Sequence, residues 1–280
     1  MEYGLIGEKL AHSHSPAIHS QLGTYDYILK SLPPDELASF INAREFKGLN
    51  VTIPYKQSVM PLCDSISDSA MRIGSVNTLV IESDGRLVGY NTDYYGFWYA
   101  SQLSGISYSG RKVLVLGSGG TSHTVQTAVL DSGASEVVVV SRTGTTNYEN
   151  VWEHQDAEVI VNTTPVGMYP NNGARPIDLS RFPSLKCVFD VIYNPLETAL
   201  LRQARELGLT RCNGLPMLVA QAKASAELFT EKYIEDREIP RITNELAKDL
   251  TNVVLVGMPG SGKTTIGKAL AALMGREFID

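Results

Sequence analysis

Residues 112–142 read KVLVLGSGGTSHTVQTAVLDSGASEVVVVSR. An unbroken apolar run at 113–116 enters Gly117, Ser118, Gly119 and Gly120, a segment with apolar residues at helical spacing follows, and a second apolar run ends at Ser141 and Arg142. A short run without polar interruption is what a strand buried on both faces requires, and a strand joined to the next by a helix is the unit of a parallel sheet. The stretch therefore predicts strand, glycine turn, helix and strand, and everything around it is read against that unit.

Downstream, AEVIVNTT (157–164) and KCVFDVIY (186–193) add two strands, and ETALLRQARELG (197–208) adds a helix. The repeated βαβ unit makes residues 96–217 a dinucleotide-binding domain of Rossmann type, entered through a crossing helix at DYYGFWYASQL (93–103). Upstream, residues 1–95 form a separate α/β domain with strands at 3–7, 25–30 and 48–53 and helices at 15–22 and 34–43. A hairpin of 78–82 and 86–90 turns at the Asp84–Gly85 pair. Helices at 217–233 and at 242–250, the second led by Pro240, belong to a 218–250 segment expected to pack back on the first domain. The fold class is α/β throughout.

The chain has 280 residues, of which 43% are hydrophobic, enough for one large core or two smaller ones. A formal charge of −6 from 24 Lys and Arg against 30 Asp and Glu argues against nucleic acid or an anionic membrane as partner. Cys63, Cys187 and Cys212 lie far apart, without the even count of a disulfide framework or the CxxC pairs of a zinc site. No basic leader and no long apolar run is present, so the expectation is a cytoplasmic protein, monomer or homodimer, acting on a small molecule without a membrane.

Four places carry chemistry. The glycine turn lets a backbone approach a pyrophosphate at a helix N-terminus, although the third glycine of GxGxxG is replaced by Ser122. Where an NAD enzyme carries an acid for the ribose hydroxyls, Arg142 offers a guanidinium suited to a 2′-phosphate, which argues for NADP. In the first domain Ser13 and Ser15 precede Pro16, with Ser15 as expected N-cap, so two hydroxyls at a helix start could hold a carboxylate. NVTIPYK (50–56) puts Asn50 and Thr52 on one strand face and Lys56 beyond the strand end, while Asn77, Asn91, Thr92 and Asp93 sit at other element ends. His12, His14 and His19 lack acidic or cysteine co-ligands, so no metal is expected.

These motifs, together with GEKLAHSHSP (7–16), GSVNT (74–78), GYNTD (89–93), SRT (141–143), NTTPVGM (162–168), residues 190–198 and GLPMLVAQA (214–222), closely resemble the shikimate dehydrogenases over about residues 1–250. The resemblance implies reversible NADPH-dependent reduction of 3-dehydroshikimate to shikimate, on the route to chorismate and aromatic amino acids. It implies Lys56 and Asp93 as catalytic pair, and Ser13, Ser15, Thr52, Asn77, Asp93, Tyr193 and Gln221 as substrate contacts. For the cofactor it implies Gly117, Ser118, Gly119, Gly120, Thr121, Ser141, Arg142, Thr143, Val191, Gly214 and Met217. The family's usual Ala and Arg after the glycine loop are here Thr121 and His123, its usual Asn is Ser141, and its second basic residue falls at Thr146. One guanidinium in place of two keeps an NAD-using quinate/shikimate dehydrogenase as the alternative, beside a non-catalytic ligand-binding relative.

Residues 251–280 form a third block, expected as a βα fragment. VVLVG (253–257) enters GMPGSGKT (257–264), which matches the P-loop pattern, and the surroundings resemble the start of a shikimate kinase. Only 16 residues follow Thr264, too few for a second metal-binding strand, a substrate site or a lid, so no kinase activity is expected from this chain, and an NTP-binding role for the P-loop ranks below the dehydrogenase readings.

Overall fold

The computed structural model describes residues 2–10 and 13–279; His12, weighed above as a metal ligand, lies outside them. Two sheets organise the chain. The first contains β1 (Tyr3–Gly7), β2 (Tyr27–Ser31), β3 (Gly48–Val51), β4 (Ser65–Ile66), β5 (Thr78–Ile81) and β6 (Leu87–Tyr90) in the order β2-β1-β3-β5-β6-β4. It is mixed: β1 runs parallel to β2 and β3, and the hairpin β5–β6 joins antiparallel through β5 on β3. Helices α1 (Ser15–Leu22), α2 (Leu37–Ala43) and α3 (Asp68–Ile73) accompany it.

The second sheet is wholly parallel, with β7 (Lys112–Leu116), β8 (Glu136–Val140), β9 (Val159–Asn162), β10 (Cys187–Asp190) and β11 (Thr210–Cys212) in the order β11-β10-β9-β7-β8. Its helices are α4 (Asp93–Leu103), α5 (Gly120–Asp131) and α6 (Ala199–Glu206). Successive residues of β7 point to opposite faces, and both faces are covered. Val113 and Val115 pack with Phe97, Ala100, Val125 and Val129 on one side, and Leu114 and Leu116 with Leu200 and Ala204 on the other. Val113 to Leu116 are fully buried, which is why this part of β7 tolerates no polar residue.

Helix α7 (Leu215–Thr230) touches both halves. Its start places Met217 in the core under the second sheet, and its remainder packs with Ile18 of α1 and with Ile239 and Ile242 of α8 (Glu238–Asp249). At its far end Phe229 lies against Gly48 of β3, where an added Cβ would come within 2.4 Å of the ring.

Several expectations need correction. β2 begins at Tyr27 instead of Tyr25, and β3 ends at Val51, two residues before the expected 53. Pro34–Glu36 forms a single 3-10 turn before α2. Pro240 sits inside the first turn of α8, not ahead of it. Ser15 is the first helical residue of α1 and His14 occupies the cap position, with no side-chain cap bond. β4, α3 and β11 are additions to the expected elements; α3 is a short helix capped by Ser67, whose oxygen accepts from Ala70 N–H at 3.4 Å, and stopped by Gly74 at φ +70°.

The largest correction concerns VVLVG. Residues 251–258 form no strand, and Val253, Val254 and Val256 are 52%, 78% and 92% exposed. A strand satisfies its backbone only through neighbours, and among the described residues none pairs with this run. The expected helix does form as α9 (Lys263–Met274), because its hydrogen bonds are internal.

Candidate active site

The C-terminal end of β3 and the start of α4 bring Lys56 and Asp93 together. The chain leaves β3 through Thr52, whose carbonyl accepts from Tyr55 N–H at 2.9 Å, and Lys56 follows this turn with its own carbonyl accepting from Val76 N–H at 2.8 Å. Asp93 opens α4, where a carboxylate is favoured by the helix dipole. Lys56 Nζ donates to Asp93 Oδ2 at 2.5 Å, with the two side chains only 13% and 9% exposed. A partly desolvated ammonium fixed by one carboxylate keeps two further N–H bonds for an oxygen in front of it.

Asn77 sits beside the pair. Its Oδ1 accepts from Thr92 N–H at 2.7 Å and its Nδ2 donates to Thr92 Oγ1 at 3.0 Å, so it fixes the residue before Asp93. A buried polar chain continues away from it. Thr78 Oγ1 donates to Asn77 Oδ1 at 3.1 Å, Asn50 Nδ2 donates to Thr78 Oγ1 at 3.1 Å, and Tyr27 OH donates to Asn50 Oδ1 at 2.6 Å. The His19 ring stacks on Tyr27 with centroids 3.8 Å apart, and burial pushes its imidazole down to about 3, so His19 is neutral. Sequence reasoning misses Tyr27, Thr78 and His19 as site residues; only the alternation of polar residues along the first sheet hints at them.

At the head of α1, Ser13 Oγ accepts from Ser15 N–H at 3.2 Å and donates to Ser15 Oγ at 3.1 Å, which gathers both hydroxyls at the helix start. Tyr193, beyond β10, presents its ring edge-on to His14 at 5.9 Å. Gln221 lies on α7 against Gly96 of α4, and its amide donates to Leu218 O at 2.8 Å, a bond within its own helix. The Thr52 side chain packs over Gly7, with its methyl 2.6 Å from where a Cβ there would stand.

The second sheet supplies the glycine turn. Gly117 adopts φ +108°, and a Cβ there would lie 2.6 Å from Thr163 Oγ1, so the backbone requires glycine. Ser122 replaces the third glycine of the usual pattern by donating to Gly117 O at 2.7 Å, which ties the turn to α5. Gly119 faces open space, α5 begins at Gly120 without a side-chain cap, and its first N–H groups, including that of Thr121, have no helical partner. That arrangement, together with Ser118, is an anion cradle. Gly120 also meets the first domain: its Cβ position is 3.4 Å from the Lys56 side chain and 3.0 Å from Ser75 Oγ. The cradle therefore adjoins the Lys56–Asp93 pair directly.

Past β8, Ser141 N–H donates to Thr146 O at 3.1 Å and closes a tight turn that leaves Arg142 and Thr143 exposed. Among the described residues Arg142 forms no ion pair, which leaves its guanidinium free for a phosphate. Gly214 is pressed on Val191 O, 1.9 Å from its Cβ position, and Met217 follows one turn into α7, 7% exposed. The donor set and the glycine cradle fit a phosphorylated dinucleotide. Among the described residues no cluster of three or more His, Cys, Asp or Glu could hold a metal, and no helix is long and apolar enough to cross a membrane.

Residues 5–79 match the family model described as the shikimate dehydrogenase substrate binding domain. The NADP(+)-type shikimate dehydrogenase of Clostridium beijerinckii is 38% identical over 255 residues, covering 84% of this chain and 94% of its own length. Among solved structures, a chorismate mutase/shikimate 5-dehydrogenase fusion protein from Clostridium acetobutylicum is 36% identical with a TM-score of 0.84, covering 89% of this chain and 98% of that one. The shikimate 5-dehydrogenase of Thermus thermophilus, solved with NADP(H) and shikimate, is 31% identical with a TM-score of 0.78, covering 88% and 99%.

Proposed function

From the premise that the chain belongs to the shikimate dehydrogenase family, NADP-dependent oxidoreductases that act on a CH–OH group, we propose that Lys56 and Asp93 form the catalytic pair of this enzyme. The observation that carries the proposal is the 2.5 Å Lys56–Asp93 bond lying against the helix that begins at the glycine turn.

NADPH, when bound, supplies the hydride for the ketone of 3-dehydroshikimate. Reduction also requires a proton at the carbonyl oxygen, and Lys56 Nζ holds protons beside the space where Gly120 and the first domain meet. Asp93 orients the ammonium and balances its charge through the transfer, and Asn77 holds the backbone before Asp93 in place. Ser13 and Ser15, at the α1 N-terminus, bind the substrate carboxylate, while Thr52, Asn77, Tyr193 and Gln221 surround its hydroxyls and ring. Gly117, Ser118, Gly119, Gly120 and Thr121 take the pyrophosphate, and Ser141, Arg142 and Thr143 take the adenosine with its 2′-phosphate. Val191, Gly214 and Met217 line the nicotinamide end.

In this reading residues 1–95, supported by 218–250, are the substrate domain and 96–217 the cofactor domain. Residues 251–280 are the opening of a shikimate kinase-like unit that plays no part in the dehydrogenase; its unpaired VVLVG run supports that separation. The setting is the cytoplasm, with the protein as monomer or homodimer. The pair is tested by Lys56→Ala: kcat is expected to fall at least about a hundredfold while shikimate still binds, as removal of a proton-transfer group does. Near-normal turnover by that variant would remove Lys56 from the mechanism.

A further inference from the structure

Asp190, the last residue of β10, is fully buried, and among the described residues no cation pairs with it. Three donors from three segments converge on its carboxylate instead. They are Asn162 Nδ2 at the end of β9 (3.0 Å), Ile192 N–H two residues on (3.1 Å) and Thr198 Oγ1, the N-cap of α6 (2.7 Å).

Two of these donors lead directly to parts of the candidate site. Asn162 Oδ1 accepts from Thr164 N–H and Oγ1, and the Thr164 methyl stands 3.2 Å from the Cβ position of Gly117 in the cofactor cradle. Ile192 lies between Val191 and Tyr193, and its carbonyl accepts from Gly214 N–H at 2.9 Å, the residue that opens α7 with Met217 and Gln221. Val191 N–H in turn donates to Asn162 O at 3.0 Å. The third donor, Thr198, closes the far end of the loop that carries Val191 and Tyr193.

We infer that Asp190 is a positioning residue for both ligands, holding the 191–193 loop and the start of α7 so that the substrate contact Tyr193 and the cofactor contacts Val191, Gly214 and Met217 share one frame. Asp190 itself touches neither ligand site. The inference rests on the site reading above, and burial of a carboxylate against three donors and no cation is a cost that a purely structural position could avoid with an apolar side chain. Burial also pushes its carboxyl up to about 6, against the three donated bonds.

The test compares Asp190→Leu, which leaves all three donors unpartnered, with Asp190→Asn, which can accept from Asn162 and Ile192 and donate to Thr198. Thr198→Val removes one donor and keeps the fold testable if Asp190→Leu does not accumulate. The readouts are KM for shikimate and kcat, and Kd for NADP+ by titration calorimetry. Asp190→Leu is expected to raise both KM and Kd about tenfold or more, with a smaller fall in kcat, Thr198→Val to raise both severalfold, and Asp190→Asn to restore both to within about threefold. Unchanged KM and Kd in Thr198→Val beside a lowered melting temperature, or Asp190→Asn as impaired as Asp190→Leu, would overturn the inference. Failure of the wild type to bind shikimate would instead overturn the site reading itself.

Discussion

Residues 112–120 and 253–262 are written in nearly the same terms, an apolar run entering a glycine-rich turn ahead of a helix, and they end in different structures. The first becomes β7, hydrogen-bonded to β8 and β9 and buried to 0% exposure from Val113 to Leu116. In the second, Val256 is 92% exposed and no strand forms, yet α9 follows the turn as α5 follows β7. A helix closes its own hydrogen bonds, whereas a strand is a relation between segments. The difference teaches that an apolar run states a demand for neighbours and does not by itself supply them.

The widest break between the two regions is expected from one charge placed in each. Val115→Asp puts an unpaired carboxylate between two covered faces and should destabilise the protein by about 4 kcal/mol or more, enough to prevent folded protein from accumulating. Val254→Asp should leave the unfolding free energy, read by urea titration, within about 0.5 kcal/mol of wild type. Equal effects in the two variants would mean that the 253–257 run is held against the body after all. Next in size is the pair Gly117→Ala and Gly260→Ala, both at positive φ. Gly117→Ala forces a Cβ onto Thr163 and should weaken NADP+ binding about tenfold to a hundredfold, read by calorimetry. Gly260 has open space around its Cβ position, so Gly260→Ala should leave that Kd unchanged.

The same contrast explains what could be read from the sequence. Four strands of the second sheet, β7 to β10, were legible because they are continuous apolar runs, whereas β11, three residues reading Thr-Arg-Cys with two exposed, was not; Ser15–Leu22 and Asp93–Leu103 fall where the periodicity and the flanking residues put them. β4 and α3 were not legible: two residues of strand and six of helix carry too little periodicity, and they exist through Gly89 O and the Ser67 cap. The Lys56–Asp93 pair was legible as two motif residues, but its contact across 37 positions, and its meeting with Gly120, depend on how the two sheets face each other. Tyr27, Asn50 and Thr78 form their chain only once β2, β3 and β5 are placed in order, which no local pattern encodes.

The smallest expected effect separates body and tail by pH. The tail, α9 included, buries only Gly267 among its described residues, so it contributes no buried ionisable side chain to the comparison. Among the titratable groups that the body buries, His19 and Asp190 are shifted in opposite senses. His19 is held down to about 3 from its ordinary 6.5, so the unfolded chain takes up that proton first and stability falls as pH drops below 6.5. Asp190 is raised to about 6 from 3.8, so the folded chain takes up that proton first and stability rises as pH drops through 6. Between pH 7 and pH 5 the first costs about 2 kcal/mol and the second returns about 1.4 kcal/mol, which leaves a net loss under about 1 kcal/mol from this pair. Removing one group should expose the other: His19→Phe should unfold at higher urea at pH 5 than at pH 7, and Asp190→Asn at clearly lower urea. If both variants keep the wild-type pH dependence, these two side chains do not set it, and the proton linkage of the body lies in groups nearer its surface.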